Sequence, residues 1–415
     1  MSDQLTVFAD FNFLSEATPV GELFHERIRG NSVYRFHFFP TWLEQHGNTI
    51  LCGDLANVSG WQYSSDEIFG CLGDALPDRW GRTLIDLREQ IDAQAEHRAP
   101  RNLTSFDYLC QLDDSTRMGG LRFKRDGEDF FFNSSEKLEI PPITTLRELQ
   151  QASLHIEEDI EKGETPKDRL IRQLYNPGTS LGGARPKANI RTTDGFLQIA
   201  KFPSRNDKID VGLWEHLCHL LAKEAGILTA STNVIMLGKH HTLLSQRFDR
   251  YNSRRIHFAS SMALLGFHDG DGAKTGKGYL DIVDFILGHC ANAQSNLREL
   301  FRRVVFNICI GNADDHFRNH GFLLTPQGWT LSPAYDINPS LSSHQAIMVT
   351  DDSNDADLRM LLHHHDDYYI NADTAQTIIC EVQTAVKKWR SFAKRLHIRP
   401  NEVELFQNRI EQCLQ

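Results

Sequence analysis

Apolar positions recur along this chain in three different rhythms, and the rhythms divide it. From residue 1 to about 160, alternating and helical spacings are mixed and Phe and Trp are frequent, which predicts a mixed α/β subdomain. From 161 to 252 the rhythm is that of strands. Lys187–Thr192 and Phe196–Phe202 flank Thr-Asp-Gly, a hairpin signal. Asp210 then stands where a helix needs an N-cap. Trp214, Leu217, Cys218, Leu221 and Ala225 follow at helical spacing, and Gly226 ends the run. From 253 to 415 the pattern is mainly helical. Asp281–Cys290 and Ser295–Ile310 read as buried helices, the second through Leu297, Leu300, Phe301, Val304 and Ile308. Ile378, Val382, Ala385, Val386, Trp389, Phe392 and Leu396 predict a further helical stripe near the end.

Within the first zone, Asp74–Arg82 reads as a turn entering a helix, with Pro77 suited to an early position. Thr116–Phe123 reads as a glycine-hinged turn into a strand. The polar stretch 148–162 reads as a linker, and no internal repeat is present.

Composition narrows the class. The 415 residues suit two or three structural units. With 40% apolar and 24% charged residues the chain is globular rather than disordered or fibrous. Lys plus Arg number 44 against 55 Asp plus Glu, a formal charge of −11, which argues against wrapping nucleic acid directly. The start shows no basic segment followed by an apolar run, and the longest uncharged apolar stretch, Val304–Gly311, is far short of the roughly 20 residues of a spanning helix. None of the eight Cys forms a CxxC pair. Several, among them Cys218, Cys309 and Cys380, lie in apolar runs, so buried reduced thiols in the cytoplasm are expected.

The strongest chemical signal is Gly-Asn-Ala-Asp-Asp-His-Phe-Arg-Asn-His at 311–320, directly after a buried helix. Asp314 and Asn319 stand five apart, the offset at which kinase loops carry a base for the attacking hydroxyl and an amide for the metal. Asp336 follows a strand pair, where a Mg²⁺-binding carboxylate belongs. Upstream, Gly178, Gly182 and Gly183 permit close approach of backbone N–H groups to phosphate, and the window 167–191 carries six basic residues against one acidic. Lys201 ends the second hairpin strand, placed to reach phosphates, with Glu215 on the next helix as its expected partner. Two patterns read as bland. Gly270–Gly278 lacks the first Gly and the Ser/Thr of a P-loop and is expected to be a mobile loop. His363, His364 and His365 are adjacent, so they cannot all face one ion and read as a solvated loop.

Together these residues resemble the HipA family of serine/threonine kinases, the toxin half of a bacterial toxin–antitoxin pair. The likeness runs through FGCLGDALPDRWGR (69–82), DYLCQLDDSTRMGGLRF (107–123), TSLGGARPKA (179–188), AKFPS (200–204), SQRFDR (245–250), GNADDHFRNHGFLL (311–324) and LSPAYDIN (331–338). The resemblance implies a two-lobed α+β kinase fold. It would comprise an N-terminal subdomain at 1–160 for partner docking, a nucleotide lobe at 161–252 and a helical catalytic lobe at 253–415. It implies ATP and Mg²⁺ as cofactors, with Asp314 as catalytic base, His316 as a phosphate contact, Lys201 on the phosphates, and Asn319 and Asp336 on the metal. Gln246–Phe248 would meet adenine, Gly182 and Gly183 would form the phosphate loop, and Ser180 would be the autophosphorylated hydroxyl, with Thr179 as the neighbouring alternative. The implied partners are a helix-turn-helix antitoxin of HipB type, operator DNA mainly through that antitoxin, and a protein substrate such as an aminoacyl-tRNA synthetase. Two departures stand out: Gln246 where an acid is usual at the hinge, and Asp315 where a small residue is common. A kinase-like co-repressor without significant activity and a small-molecule phosphotransferase are the alternative readings.

Overall fold

The computed structural model describes residues 3–65, 67–132, 140–175, 183–252 and 254–414. The chain forms two compact units that interleave in sequence. The first comprises Met1–Asn206 and Leu244–Ala259, the second Asp207–Leu243 and Ser260–Gln415.

The first unit is founded on an antiparallel sheet. Its strands are β1 (Asp3–Ala9), β2 (Thr18–Ile28), β3 (Asn31–Phe38), β4 (Gln62–Ser65) and β5 (Leu121–Lys124), in the order β4-β3-β2-β1-β5. Period-two alternation turns Leu5, Val7 and Ala9 of β1 and Tyr34, Phe36 and Phe38 of β3 inward. Helices cover that face: Phe36 meets Phe69 edge-on at 6.2 Å, and His25 stacks on Phe106 at 5.3 Å. The helix Arg79–Ala95 starts where Asp78 accepts the Gly81 N–H at 2.7 Å, so Pro77 precedes the cap.

Two expectations are corrected here. Residues 148–162 are no linker: Leu146–Glu161 is a helix that buries Leu149, Ala152 and Ile156. Charged residues on its outer face mask a three-to-four-residue apolar period. The cysteine reading fails at Cys380, which is exposed, although Cys218 and Cys309 are buried. The hairpin is as the pattern predicts, β6 (Lys187–Arg191) against β7 (Leu197–Lys201).

A polar cluster ties distant segments of this unit together. Arg247 donates to Asp249 through Nε (2.8 Å) and Nη2 (2.7 Å), to Asn189 Oδ1 at 2.9 Å and to the Thr116 and Arg117 carbonyls. Asp249 also accepts the Gly119 N–H at 2.9 Å. Burial alone would raise its carboxyl, but Arg247 and Arg250 hold it well below the usual range. The glycine turn Thr116–Gly120 and the segment Ser245–Arg250 are therefore one structural joint.

The second unit is mainly helical. Val211–Glu224 is capped by Asp210, and its buried Trp214 donates to Glu402 at 2.9 Å. Ala293–Ile310 carries the core through Leu297, Leu300, Phe301, Val304 and Phe306, each fully buried and each contributing about 1.5–3 kcal/mol. The stripe near the end divides into Ala372–Val386 and Trp389–Arg395. Gly270–Gly278 is not the mobile loop expected from its composition. Gly272 and Gly278 pack against the backbone of Ala346 and Met348, whose carbonyls accept from Ala273 and Tyr279 at 2.9 Å each. The three histidines do not form the expected loop: His363 ends the helix Leu358–His363 and meets the His364 ring, His364 pairs with Asp367, and His365 turns to Asp366 and the Ile370 carbonyl. Among the described residues no helix is long and apolar enough to cross a membrane.

Candidate active site

The helix Ala293–Ile310 stops at Gly311, whose φ of +79° suits glycine; a Cβ there would stand 3.0 Å from the Ser340 carbonyl. The chain then alternates. Asp314 is exposed, Asp315 is 3% exposed, and His316 is half-buried. Asp315 is the anchor of the loop. Its carboxylate accepts from the Tyr279 hydroxyl, from Asn307 Nδ2 at 2.6 Å and from His320 Nε2 at 2.8 Å. Burial pushes this carboxyl up, but His320 and the donated hydrogen bonds outweigh it and hold the group below its ordinary value. With Asp315 pinned inside, Asp314 stays exposed and His316 lies half-buried beside it. Phe317 fixes the far side, its carbonyl accepting from Ser261 Oγ at 2.6 Å. Asn319 closes the loop by donating from Nδ2 to the Asp314 carbonyl at 2.9 Å.

The strand pair Gly321–Thr325 and Gly328–Leu331 leads back to this loop. Tyr335 donates its hydroxyl to the Arg318 carbonyl at 2.6 Å, so the segments carrying Asn319 and Asp336 lie side by side. Asn319, His320 and Tyr335 line a common cavity with Asn307 and Asp315. Asp336 itself has φ +57°, a left-handed conformation that costs a non-glycine residue about 1 kcal/mol. Such strain is retained where a side chain must point in a set direction. The structure thus gathers Asp314, His316, Asn319 and Asp336 within the second unit.

The remaining candidates lie in the first unit. Register places Lys201 on β7 opposite Lys187 on β6. Gly183 has φ +106° and lies against Lys187 Nζ. Gln246 and Phe248 are half-buried; the Arg247 N–H between them donates to the Leu197 carbonyl at 3.0 Å, and Phe248 meets Phe258 at 6.0 Å. Thr179, Ser180 and Gly182 lie outside the described residues. Glu215, in the second unit, is buried on the helix Val211–Glu224, with His219 Nε2 3.9 Å away. Sequence reasoning missed the anchoring role of Asp315, the Tyr335 tie and the Arg247–Asp249 joint. The signals were present as the SQRFDR and LSPAYDIN motifs and the unusual second Asp.

The donor set fits a phosphate-bound cation. Asn319 commits Nδ2 to the loop, which leaves Oδ1 as the atom it offers a metal, and Asp336 offers a carboxylate; both are hard oxygens of the kind Mg²⁺ takes with substrate phosphates. His316 Nδ1 is buried with no hydrogen-bond partner among the described residues. Among those residues no three His, Cys, Asp or Glu side chains form a metal-binding group.

Comparisons with known proteins agree with this architecture. A family model described as the HipA-like C-terminal domain matches residues 179–389, just over half of the chain. The serine/threonine-protein kinase toxin HipA of Shewanella oneidensis is 27% identical over 228 residues, 48% of this chain and 52% of the relative. The chain spans about half the length of the curated relatives it matches. A solved structure of the Shewanella oneidensis MR-1 toxin–antitoxin system, HipA with HipB and its operator DNA, has a TM-score of 0.64 at 16% identity, covering 99% of this chain and 96% of that one. The fold is therefore the two-lobed α+β fold of HipA-type kinases, and the chain belongs to the HipA-like family.

Proposed function

We propose that this protein is an ATP-dependent serine/threonine protein kinase of HipA type, the toxin of a toxin–antitoxin module, acting in the cytoplasm on a protein target and on itself. The observation that carries the reading is the anchored loop: buried Asp315 fixes it so that Asp314 is exposed and His316 half-buried, beside the segment that bears Asp336. In this reading Asp314 accepts or orients the proton of the attacking hydroxyl, and His316 Nδ1 donates to phosphate. Lys201 and Gly183, with Gly182, hold the phosphates, and the Gln246–Phe248 backbone meets adenine. Asn319 and Asp336 hold Mg²⁺, which supplies charge neutralisation on the phosphates when bound. Catalysis is then positioning and electrostatics.

Partner and substrate follow the same reading. The solved relative was determined with HipB and operator DNA, which supports a HipB-type helix-turn-helix antitoxin here, with DNA reached mainly through it and with 1–160 as the docking region. The net charge of −11 suits indirect DNA contact. The substrate is a protein such as an aminoacyl-tRNA synthetase. The test is transfer from γ-labelled ATP to protein acceptors and to small-molecule acceptors, with phosphoproteomics after induced expression of wild type and Asp314→Asn. Label on a protein Ser or Thr in wild type alone supports the reading. Label on small molecules alone, or on nothing, overturns it.

A further inference from the structure

The hairpin poses an electrostatic problem. Lys187 and Lys201 are directly opposed across β6 and β7. Directly opposed residues of an antiparallel pair share a face of the sheet, about 4.5–5.5 Å apart at Cβ, and like charges there repel. A carboxylate from a remote helix answers it. Asp78 Oδ2 lies 3.4 Å from Lys187 Nζ, with the side chains 0% and 3% exposed. The other oxygen, Oδ1, accepts the Gly81 N–H at 2.7 Å and caps the helix Arg79–Ala95.

The backbone at Gly183 also comes close to the ammonium. A Cβ built on Gly183 would stand 3.0 Å from Lys187 Nζ, and Gly183 has φ +106°. Only glycine supplies that backbone without strain. A buried cation is costly unless paired, and a cation so fixed loses little freedom on meeting an anion. Lys187 is therefore held in place beside a second lysine and close to the backbone at Gly183.

We infer that Asp78 is a positioning residue for nucleotide phosphates. It acts through Lys187, whose ammonium it sets against the turn at Gly183, so that the N-terminus of the helix Arg79–Ala95 fixes the phosphate-binding strand. The ligand class is a nucleoside triphosphate, and the inference rests on the reading of β6 and β7 as the ATP-binding hairpin. It assigns a role in nucleotide binding to DRWGR (78–82), a motif of the region proposed for partner docking.

The test is a double-mutant cycle on binding of a non-hydrolysable ATP analogue with Mg²⁺, read by calorimetry on the full chain. Asp78→Asn keeps the cap, because Asn accepts the Gly81 N–H equally well, and removes the charge. The expected result is about tenfold weaker binding for Asp78→Asn, at least as much for Lys187→Gln, and no further loss in the double variant. Unchanged affinity in Asp78→Asn, or losses that multiply in full, overturns the inference. Hydrogen exchange on the wild type needs no variant: the analogue slows the amides of residues 79–82 if Asp78 couples them to phosphate, and unchanged exchange there overturns the inference even if the variants do not fold. Lys201→Met separates the two readings. If wild type and Lys201→Met both fail to bind the analogue, the ATP-binding reading itself falls and takes this inference with it. Wild-type binding that Asp78→Asn leaves intact overturns the role of Asp78 alone.

Discussion

Asn319 and Asp314 are joined through the backbone of one and the side chain of the other: Nδ2 of Asn319 donates to the Asp314 carbonyl at 2.9 Å. The Asp314 carboxylate takes no part in that tie and is exposed. Asp314→Asn is therefore expected to keep the loop and its melting temperature while lowering phosphoryl transfer by about 10²–10⁴-fold, the worth of a general base. Unchanged transfer with a native melting curve removes Asp314 from the catalytic role.

The neighbouring Asp315 should behave in the opposite way. Asp315→Ala leaves Tyr279, Asn307 and His320 without their shared acceptor. It is expected to cost about 3–5 kcal/mol of stability in urea denaturation. Transfer is lost because the loop collapses. A variant that folds normally and loses only activity contradicts the anchoring role.

At Asp336 the backbone and the side chain are separable. Asp336→Ala and Asp336→Gly both remove the carboxylate and should abolish the Mg²⁺ dependence of nucleotide binding. The φ of +57° favours glycine, so Asp336→Gly is expected to be more stable than Asp336→Ala by about 1 kcal/mol. Equal stability of the two, measured by denaturation, argues against strain at this position.

His257 supplies a pH dependence away from the site. The ring is buried against Phe11, stacked at 4.6 Å, and Nδ1 lies 3.5 Å from the Gly120 N–H. Burial pulls its pKa from 6.5 down to about 3. The unfolded chain therefore binds a proton near pH 6.5 that the folded chain refuses until about pH 3. This contribution to stability is complete above pH 6.5 and is lost as pH falls toward 3, at up to about 1.4 kcal/mol per pH unit. His257→Gln should show a shallower fall in urea midpoint between pH 6.5 and 4. Parallel slopes in wild type and variant would remove His257 as the cause.

Ser180 lies outside the described residues, but its place in the sequence gives a further expectation. Phosphorylation adds about −1.5 to −2 charge, which repels ATP phosphates and attracts cations such as Arg185 and Arg172. Mass spectrometry after incubation with ATP should find phosphate on Ser180 in wild type and not in Asp314→Asn, and the modified fraction should bind ATP poorly. Phosphate on Thr179 instead, or a Ser180 phosphoform with normal ATP affinity, contradicts the assignment.

Local signals carried much of the fold. The Thr-Asp-Gly turn, the Asp210 cap and the stop at Gly226 appear where the pattern placed them because each depends on residues within a few positions. What escaped depends on distant partners. Gly270–Gly278 is fixed by backbone at 346–348. The Asp315 carboxylate has partners 36, 8 and 5 residues away, and only the last lies within its motif. The helix Leu146–Glu161 was hidden for another reason: its charged face dominates the composition, while the buried stripe is only a few residues wide.

The order in which this chain leaves the ribosome carries a consequence of its interleaved units. The first unit takes its closing segment, Leu244–Ala259, only after Asp207–Leu243 has been made. Until Arg247 and Asp249 emerge, the Gly119 N–H has no buried carboxylate to meet and the Thr116 and Arg117 carbonyls have no guanidinium. At roughly 5–20 residues per second, the interval between residues 206 and 259 lasts on the order of 3–10 s. Throughout that interval the nascent N-terminal portion is an incomplete core. A fragment ending at Asn206 is therefore expected to expose apolar surface and to be held by chaperones rather than to fold alone.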